Sequence, residues 1–193
     1  MSSVATIKRN VLPPHLEVKG GQPLSGILKV SGAKNSSLVL MAAALLTKET
    51  LCIKNVPQLT DIHVMSEILS NLGAKLTTKG NSIEINSKVI HNADLPYRLV
   101  HSLRASFFCI GPLLTRIGEA NIPLPGGCNI GARPVDEHIN GLKSLGAEVE
   151  IDNDVVKAKV STKNKRLRGA NITLKYPSVG ATETILMASC LAL

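Results

Sequence analysis

A chain of 193 residues with 44% hydrophobic and 19% charged residues has the make-up of a globular protein, long enough to bury one good core. Aromatic residues are almost absent (two Phe, two Tyr, no Trp), so the core must be aliphatic, and a single-strand nucleic-acid module built on stacking platforms is disfavoured. The formal charge of +8 comes from scattered rather than blocked Lys and Arg, which reads as a solvated basic surface or a site for a small polyanion, not as a polybasic arm.

In chain order, residues 1–15 hold Lys8 and Arg9, no acid and no signal-type apolar core, and are read as an extended or disordered leader, with a transit peptide as the alternative. Residues 16–33 include a strand-like run at Ile27–Val30. Gly32-Ala33-Lys34-Asn35 then opens an apolar helix to about Leu46, whose apolar run is far too short to cross a membrane. A strand is expected over Thr50–Val56, an amphipathic helix over Asp61–Leu72, and strands over Lys75–Thr78 and Ile83–Ile85. A helix beginning near Arg104-Ala105-Ser106 and ending near Leu114 is followed by a strand over Ala120–Leu124 and a helix over Pro134–Leu145. Strands are expected at Val149–Ile151, Val155–Val160 and Ile172–Leu174, and a last helix runs from Val179-Gly180-Ala181-Thr182 to Leu193.

These elements repeat. Leu69-Ser70-Asn71-Leu72-Gly73-Ala74 recurs as Leu142-Lys143-Ser144-Leu145-Gly146-Ala147, each ending a helix at Gly and leading into a strand. Each unit therefore reads strand, helix, strand, helix, strand, strand. Two complete units are followed by the opening third of another, an α/β arrangement in which the last helix stops where its following strand is expected. On that pattern the chain is read as a fragment.

Four cysteines show neither metal-ligand spacing nor a disulfide framework. Cys52, Cys109 and Cys190 read as buried small hydrophobes, and unpaired thiols suit a reducing compartment. Cys128 is different. It lies in Pro125-Gly126-Gly127-Cys128-Asn129-Ile130-Gly131-Ala132-Arg133-Pro134, after two glycines and ahead of an arginine. A partly exposed thiol beside a cation is reactive; the alternative is a loop thiol with no role. Lys34, in a first helical turn, opposes the helix dipole unless an anion sits there; otherwise it is a solvated lysine. Arg133 could clamp a carboxylate or phosphate through both nitrogens.

Gly32-Ala33-Lys34-Asn35, Leu103-Arg104-Ala105-Ser106, the Pro125–Pro134 loop and Pro177-Ser178-Val179-Gly180-Ala181-Thr182 together resemble the UDP-N-acetylglucosamine enolpyruvyl transferases, from about Leu16 to the last residue. The sister shikimate-pathway enolpyruvyl transferase shares the fold but lacks the Pro-Gly-Gly-Cys loop. The resemblance implies an inside-out α/β barrel of two domains, each of three repeated units, with the site in the cleft between them. Residues 16–33 would then be a strand of the partner domain plus a link, and residues 34–193 an incomplete cysteine-loop domain.

The resemblance also implies a reaction: transfer of the enolpyruvyl group of phosphoenolpyruvate to the 3-hydroxyl of UDP-N-acetylglucosamine, in the cytoplasm, as the first committed step of peptidoglycan synthesis. No cofactor, metal, nucleic acid or membrane enters it. Cys128 would be the proton donor and the site of a covalent phosphoenolpyruvate adduct, open to alkylation by the epoxide fosfomycin. Lys34 and Asn35 would bind phosphoenolpyruvate. Arg104, Arg133, Pro134, Val135, Asp136, Glu137, Tyr176, Pro177, Ser178 and Val179 would bind the UDP-sugar, supported by Gly180 and by His138, which could tune the site or simply pack. Two residues depart from some relatives: Tyr176-Pro177 replaces Lys-Val, and Phe108 replaces a tryptophan. An aspartate that takes the proton of the sugar hydroxyl, and arginines that close over phosphoenolpyruvate, would come from the other domain. The 193 residues alone are therefore expected to show little turnover, the alternative role being a non-catalytic UDP-sugar-binding module or a subunit completed by a second chain.

Overall fold

The computed structural model describes residues 15–126, 134–161 and 166–193, which fall into two units, residues 1–30 and 31–193. The described part of the first unit is extended chain, with Leu16, Val18, Leu24, Ile27, Leu28 and Val30 all exposed. The strand expected at Ile27–Val30 is not formed. Apolar residues can supply a face, but a strand also needs a hydrogen-bonded neighbour, and none pairs with it among the described residues.

The second unit contains α1 (Lys34–Ala43), continued by a 3-10 turn over Ala44–Leu46, then β1 (Thr50–Ile53), α2 (Thr60–Leu72), β2 (Lys75–Lys79) and β3 (Ser82–Asn86). It goes on through α3 (Tyr97–Ser102), a 3-10 segment over Arg104–Cys109, α4 (Ile110–Ile117), β4 (Glu119–Pro123), α5 (Asp136–Ser144), β5 (Glu148–Asp152), β6 (Val155–Lys159) and α6 (Val179–Ser189). Two sheets result, ordered β1-β3-β2 and β4-β6-β5, with every neighbouring pair antiparallel. The repeat seen in the sequence is thus a repeat of topology. No closed barrel forms among the described residues.

Local chemistry explains why both copies take the same path. At the end of α2, Gly73 adopts φ 110°, and Ala74 N–H returns to the Leu69 carbonyl. After α5, Gly146 adopts φ 88°, and Ala147 N–H returns to the Leu142 carbonyl. Only glycine takes this left-handed turn without a Cβ penalty, so the shared Leu-Gly-Ala sets the exit of each helix toward its strand. The hairpin between β5 and β6 turns through Asn153 and Asp154, both at positive φ, as a two-residue turn matched to strand twist requires. In β3 the alternation of Ser82-Ile83-Glu84-Ile85-Asn86 buries Ile83 and Ile85 and leaves the polar residues outward.

One aliphatic core runs through both copies, with Met41, Leu45, Met65, Leu69, Leu72, Ile110, Leu113, Ile122 and Leu142 among its fully buried members. Arg116 joins the copies: its guanidinium donates to the carbonyls of Leu45 and Thr47 at 2.6 and 2.7 Å and to that of Ser87 at 3.1 Å. The buried Ser87 hydroxyl donates to the Ala44 and Thr47 carbonyls at the same place.

Further expectations need correction. The strand at Ile172–Leu174 is absent; among the described residues this stretch has no ladder partner, and it is instead tied by Lys175 N–H donating to the buried Glu137 carboxylate at 2.7 Å. The unit therefore runs helix, strand, helix, strand, strand, and Ala93–Leu95 makes only a single parallel bridge beside β4, at Asp94 and Asn121. The stretch after Leu103 is 3-10 before it becomes α-helix, preceded by the unexpected short helix α3; and α5 begins at Asp136, with Pro134 and Val135 leading into it. Finally, Cys52 and Cys190 are exposed: Cys52 stands on the outer face of its strand, where neighbours Leu51 and Ile53 take the covered side, and Cys190 sits just beyond the last turn of α6. Only Cys109 of the three is buried, and burial pushes its thiol up to about 12. In the folded protein at pH 8, iodoacetamide should modify Cys52 and Cys190 and spare Cys109 until denaturant is added, which peptide mass mapping checks directly.

Candidate functional site

An open cavity of about 490 Å³ lies among the start of α1, the 3-10 segment, the approach to α5 and the start of α6. Its polar lining comes from Asn35, Arg104, His138, Tyr176, Ser178 and Glu183, and its apolar lining from residues including Leu38, Phe107, Phe108, Pro134, Val135 and Val179. Mostly apolar walls with a few convergent polar groups are the usual make-up of a small-ligand site.

The start of α6 forms one wall. The Ser178 hydroxyl accepts from Ala181 N–H at 3.2 Å, a side-chain N-cap that fixes where the helix begins. Val179 and Gly180 at this end line the cavity, where the positive end of the helix dipole favours an anion. Arg104 adds a full cationic charge to the same lining.

His138 forms another wall. It is 7% exposed, its ring meets Phe107 edge to face at 5.3 Å, and its Nδ1 is buried without a hydrogen-bond partner among the described residues. Gly180 lies so close that a Cβ there would stand 3.1 Å from His138 Nε2. Burial, and then the charge of Arg104, push the imidazole down to about 4, against an opposing pull from Asp136 and Glu137. His138 is therefore neutral at pH 7 and adds no charge to the cavity.

Tyr176 closes the rim by donating its hydroxyl to Asp136 Oδ1. That bond holds the Asp136 carboxyl below its ordinary range and raises the phenol to about 12. Glu183 is the one charged residue of α6, and burial raises its pKa.

The structure thus gathers Asn35, Arg104, Pro134, Val135, His138, Tyr176, Ser178, Val179 and Gly180 around one cavity. It does not bring all the expected residues there. Lys34 is held by Asp61, Nζ to Oδ2 at 2.6 Å, so an acid of α2 supplies the anion that its place in α1 calls for. Asp136 reaches the rim only through Tyr176. Glu137 is 2% exposed and occupied by Lys175 N–H and by Asn140. Pro177 is not part of the lining, and Cys128 and Arg133 lie outside the described residues. Sequence reasoning missed Glu183, Leu38 and Phe107 as lining residues. Glu183 carried a signal, as the one acid within the apolar run of the last helix.

The sequence profile of the EPSP synthase (3-phosphoshikimate 1-carboxyvinyltransferase) family matches residues 18–193. The chain belongs to this family. A UDP-N-acetylglucosamine 1-carboxyvinyltransferase of Prochlorococcus marinus (strain NATL2A) is 87% identical over 192 residues, covering 100% of this chain and 42% of the relative. One from strain MIT 9313 is 56% identical and likewise covers the whole chain and 44% of the relative. The chain thus spans less than half the length of these enolpyruvyl-transferase relatives. Among solved structures, the enolpyruvyl transferase NikO from Streptomyces tendae superposes with a TM-score of 0.72 at 22% identity, covering 90% of this chain and 40% of that one. An EPSP synthase from Acinetobacter baumannii gives 0.66 at 17% identity, covering 86% and 38%. The enolpyruvyl transferase fold is shared. Among the described residues no helix is long and apolar enough to cross a membrane.

The neutral state of His138 has a consequence for stability. Its folded pKa lies below the ordinary 6.5, so as pH falls from 6.5 toward 4 the unfolded chain takes up a proton that the folded chain refuses. The stability present above pH 6.5 should then fall by up to about 3 kcal/mol across this window. Urea unfolding at pH 7 and pH 4 should show this loss in the parent, and the variant His138→Phe should lose correspondingly less.

Proposed function

We propose that the protein transfers the enolpyruvyl group of phosphoenolpyruvate to the 3-hydroxyl of UDP-N-acetylglucosamine, and that the cavity described above is its UDP-sugar site. The observation that carries this reading is the convergence on one cavity of Arg104, the capped start of α6 and the Pro134-Val135 approach to α5, three segments far apart in sequence. A diphosphate would take its charge balance from Arg104 and the helix N-terminus, and the apolar lining would exclude water from the planar base and the sugar.

In this reading the sugar hydroxyl adds to the second carbon of phosphoenolpyruvate while the Cys128 thiol gives its proton to the methylene carbon. Loss of a proton from that carbon, with departure of phosphate, restores the double bond in the product. The same thiol can add to the second carbon and hold phosphoenolpyruvate covalently. Lys34 and Asn35 are proposed to bind phosphoenolpyruvate. For Lys34 that requires its ammonium to leave Asp61, an exchange that an exposed ion pair permits at little cost, about 0–1 kcal/mol. Arg133 is proposed to bind beside them, and the base that takes the hydroxyl proton is proposed to lie in the part of the relatives that this chain does not span. The cytoplasm is the proposed compartment and peptidoglycan synthesis the proposed pathway.

A second reading rests on the chain spanning 42% of its relative: the 193 residues bind the UDP-sugar without turning it over. Titration calorimetry with UDP-N-acetylglucosamine and a phosphate-release assay with both substrates separate the two. Binding is expected in both readings, weakened about tenfold or more by Arg104→Ala if a charge-assisted contact is lost. Phosphate release comparable to that of a full-length relative supports the transferase reading for this chain alone. Binding without release supports the second. No binding to a folded chain overturns both.

A further inference from the structure

Glu183 lines the cavity as its one acidic residue among those described, and the packing of the fold does not account for it. It stands past the first turn of α6, so the helix dipole does little for its carboxylate. Among the described residues no hydrogen bond or ion pair holds it. Burial raises its pKa, and no cation there pulls it back. The other faces of α6 have clear uses: Ala181, Thr184 and Ala188 are buried, and the last two come up against Gly111 of α4. Val179, Gly180 and Glu183, at helical spacing, share the side that faces the cavity. A half-buried carboxylate without a partner costs stability, and only a ligand in the cavity can offset that cost.

The surroundings decide what kind of ligand group would do so. Arg104 and the positive end of α6 lie in the same wall, so a cationic ligand is disfavoured and an anion is drawn to the helix start. An anion at Glu183 itself would meet a like charge. Four residues separate Glu183 from Val179, a rise of about 6 Å along the helix, and helical side chains lean back toward the N-terminus. The carboxylate is therefore within reach of whatever is attached to an anion held at that end. A UDP-sugar carries neutral donors on both sides of its diphosphate: hydroxyl and amide groups on the sugar, hydroxyl and imide groups on the nucleoside. We propose that Glu183 is a specificity-determining residue of the cavity, its carboxylate accepting a hydrogen bond from a neutral N–H or O–H of the bound UDP-sugar, about one helical turn from the start of α6. This rests on the reading of the cavity as a UDP-sugar site. A ligand that lacks the donor leaves the carboxylate buried and unpaired, which is how a single acceptor discriminates between ligands.

Titration calorimetry of the 193-residue chain with UDP-N-acetylglucosamine tests this in the parent, Glu183→Gln and Glu183→Met. Both replacements suit a helix and nearly keep the length of the side chain, but only Gln keeps an acceptor oxygen. Glu183→Met is expected to weaken binding about tenfold or more, and Glu183→Gln to bind at least about threefold tighter than Glu183→Met. Both variants should melt no lower than the parent, since a half-buried charge is removed. UDP, titrated alongside, locates the donor: an equal loss in Glu183→Met assigns it to the nucleoside, and no loss assigns it to the sugar. Parent-like binding of UDP-N-acetylglucosamine by Glu183→Met overturns the role of Glu183. Tighter binding overturns it too, because the carboxylate would then only repel the diphosphate. Equal losses in the two variants also overturn it, since an acceptor oxygen would make no difference. If the folded parent binds no UDP-N-acetylglucosamine, the UDP-sugar reading itself fails and the role of Glu183 falls with it; binding in the parent without a loss in Glu183→Met removes that role alone.

Discussion

The close approach of α6 to α4 and α5 is the constraint on which the proposed site depends. Two glycines allow it. A Cβ at Gly111 of α4 would stand 2.7 Å from the Thr184 carbonyl oxygen and 3.1 Å from Ala188 N, and one at Gly141 of α5 would stand 2.1 Å from the end of Ile185. The Gly111 contact is the stricter, because it meets backbone that cannot swing aside. Small or unbranched residues complete the seam, with Ala181, Met187 and Ala188 buried beside Thr184, whose hydroxyl has no partner there. An unpaired buried hydroxyl costs stability, so the fold accepts a penalty at this seam while bringing the two helices together. With α6 pressed into this place, its capped start lines the same open cavity as Arg104 and His138.

Charge around the cavity is arranged by the same packing. The buried ring of His138 stays neutral, so Arg104 and the positive end of α6 are not joined by a third cation. The acids nearby are either occupied or set back: Asp136 accepts from Tyr176, and Glu137 serves the backbone of Lys175. The lining keeps Glu183 as its one acidic member, and burial favours the neutral form of that carboxyl. An anion entering the cavity meets Arg104 and the positive end of α6 in its wall.

Much of the fold was legible in the sequence because its signals are local. Leu-Gly-Ala after each amphipathic helix marks a left-handed exit, and the two copies give the same sheet topology. The last helix was expected to open at Val179-Gly180-Ala181-Thr182, and it begins at Val179, capped by the Ser178 hydroxyl. What failed was whatever depends on a distant partner. Ile27–Val30 and Ile172–Leu174 have strand-like composition but no ladder beside them among the described residues, and Cys52 looked like core until the strand's alternation placed it outward. Lys34 was recognised as a cation needing an anion, yet the one that answers in the structure, Asp61, comes from another helix.

The two repeats are held together at Arg116 by groups that do not titrate. A guanidinium keeps its proton at any pH the fold survives, and its acceptors are main-chain carbonyls. The cavity wall is different, because it leans on an imidazole whose neutrality ends in mild acid. Acidification should therefore act unevenly, loosening the face that would receive a ligand while the joint between repeats stays closed.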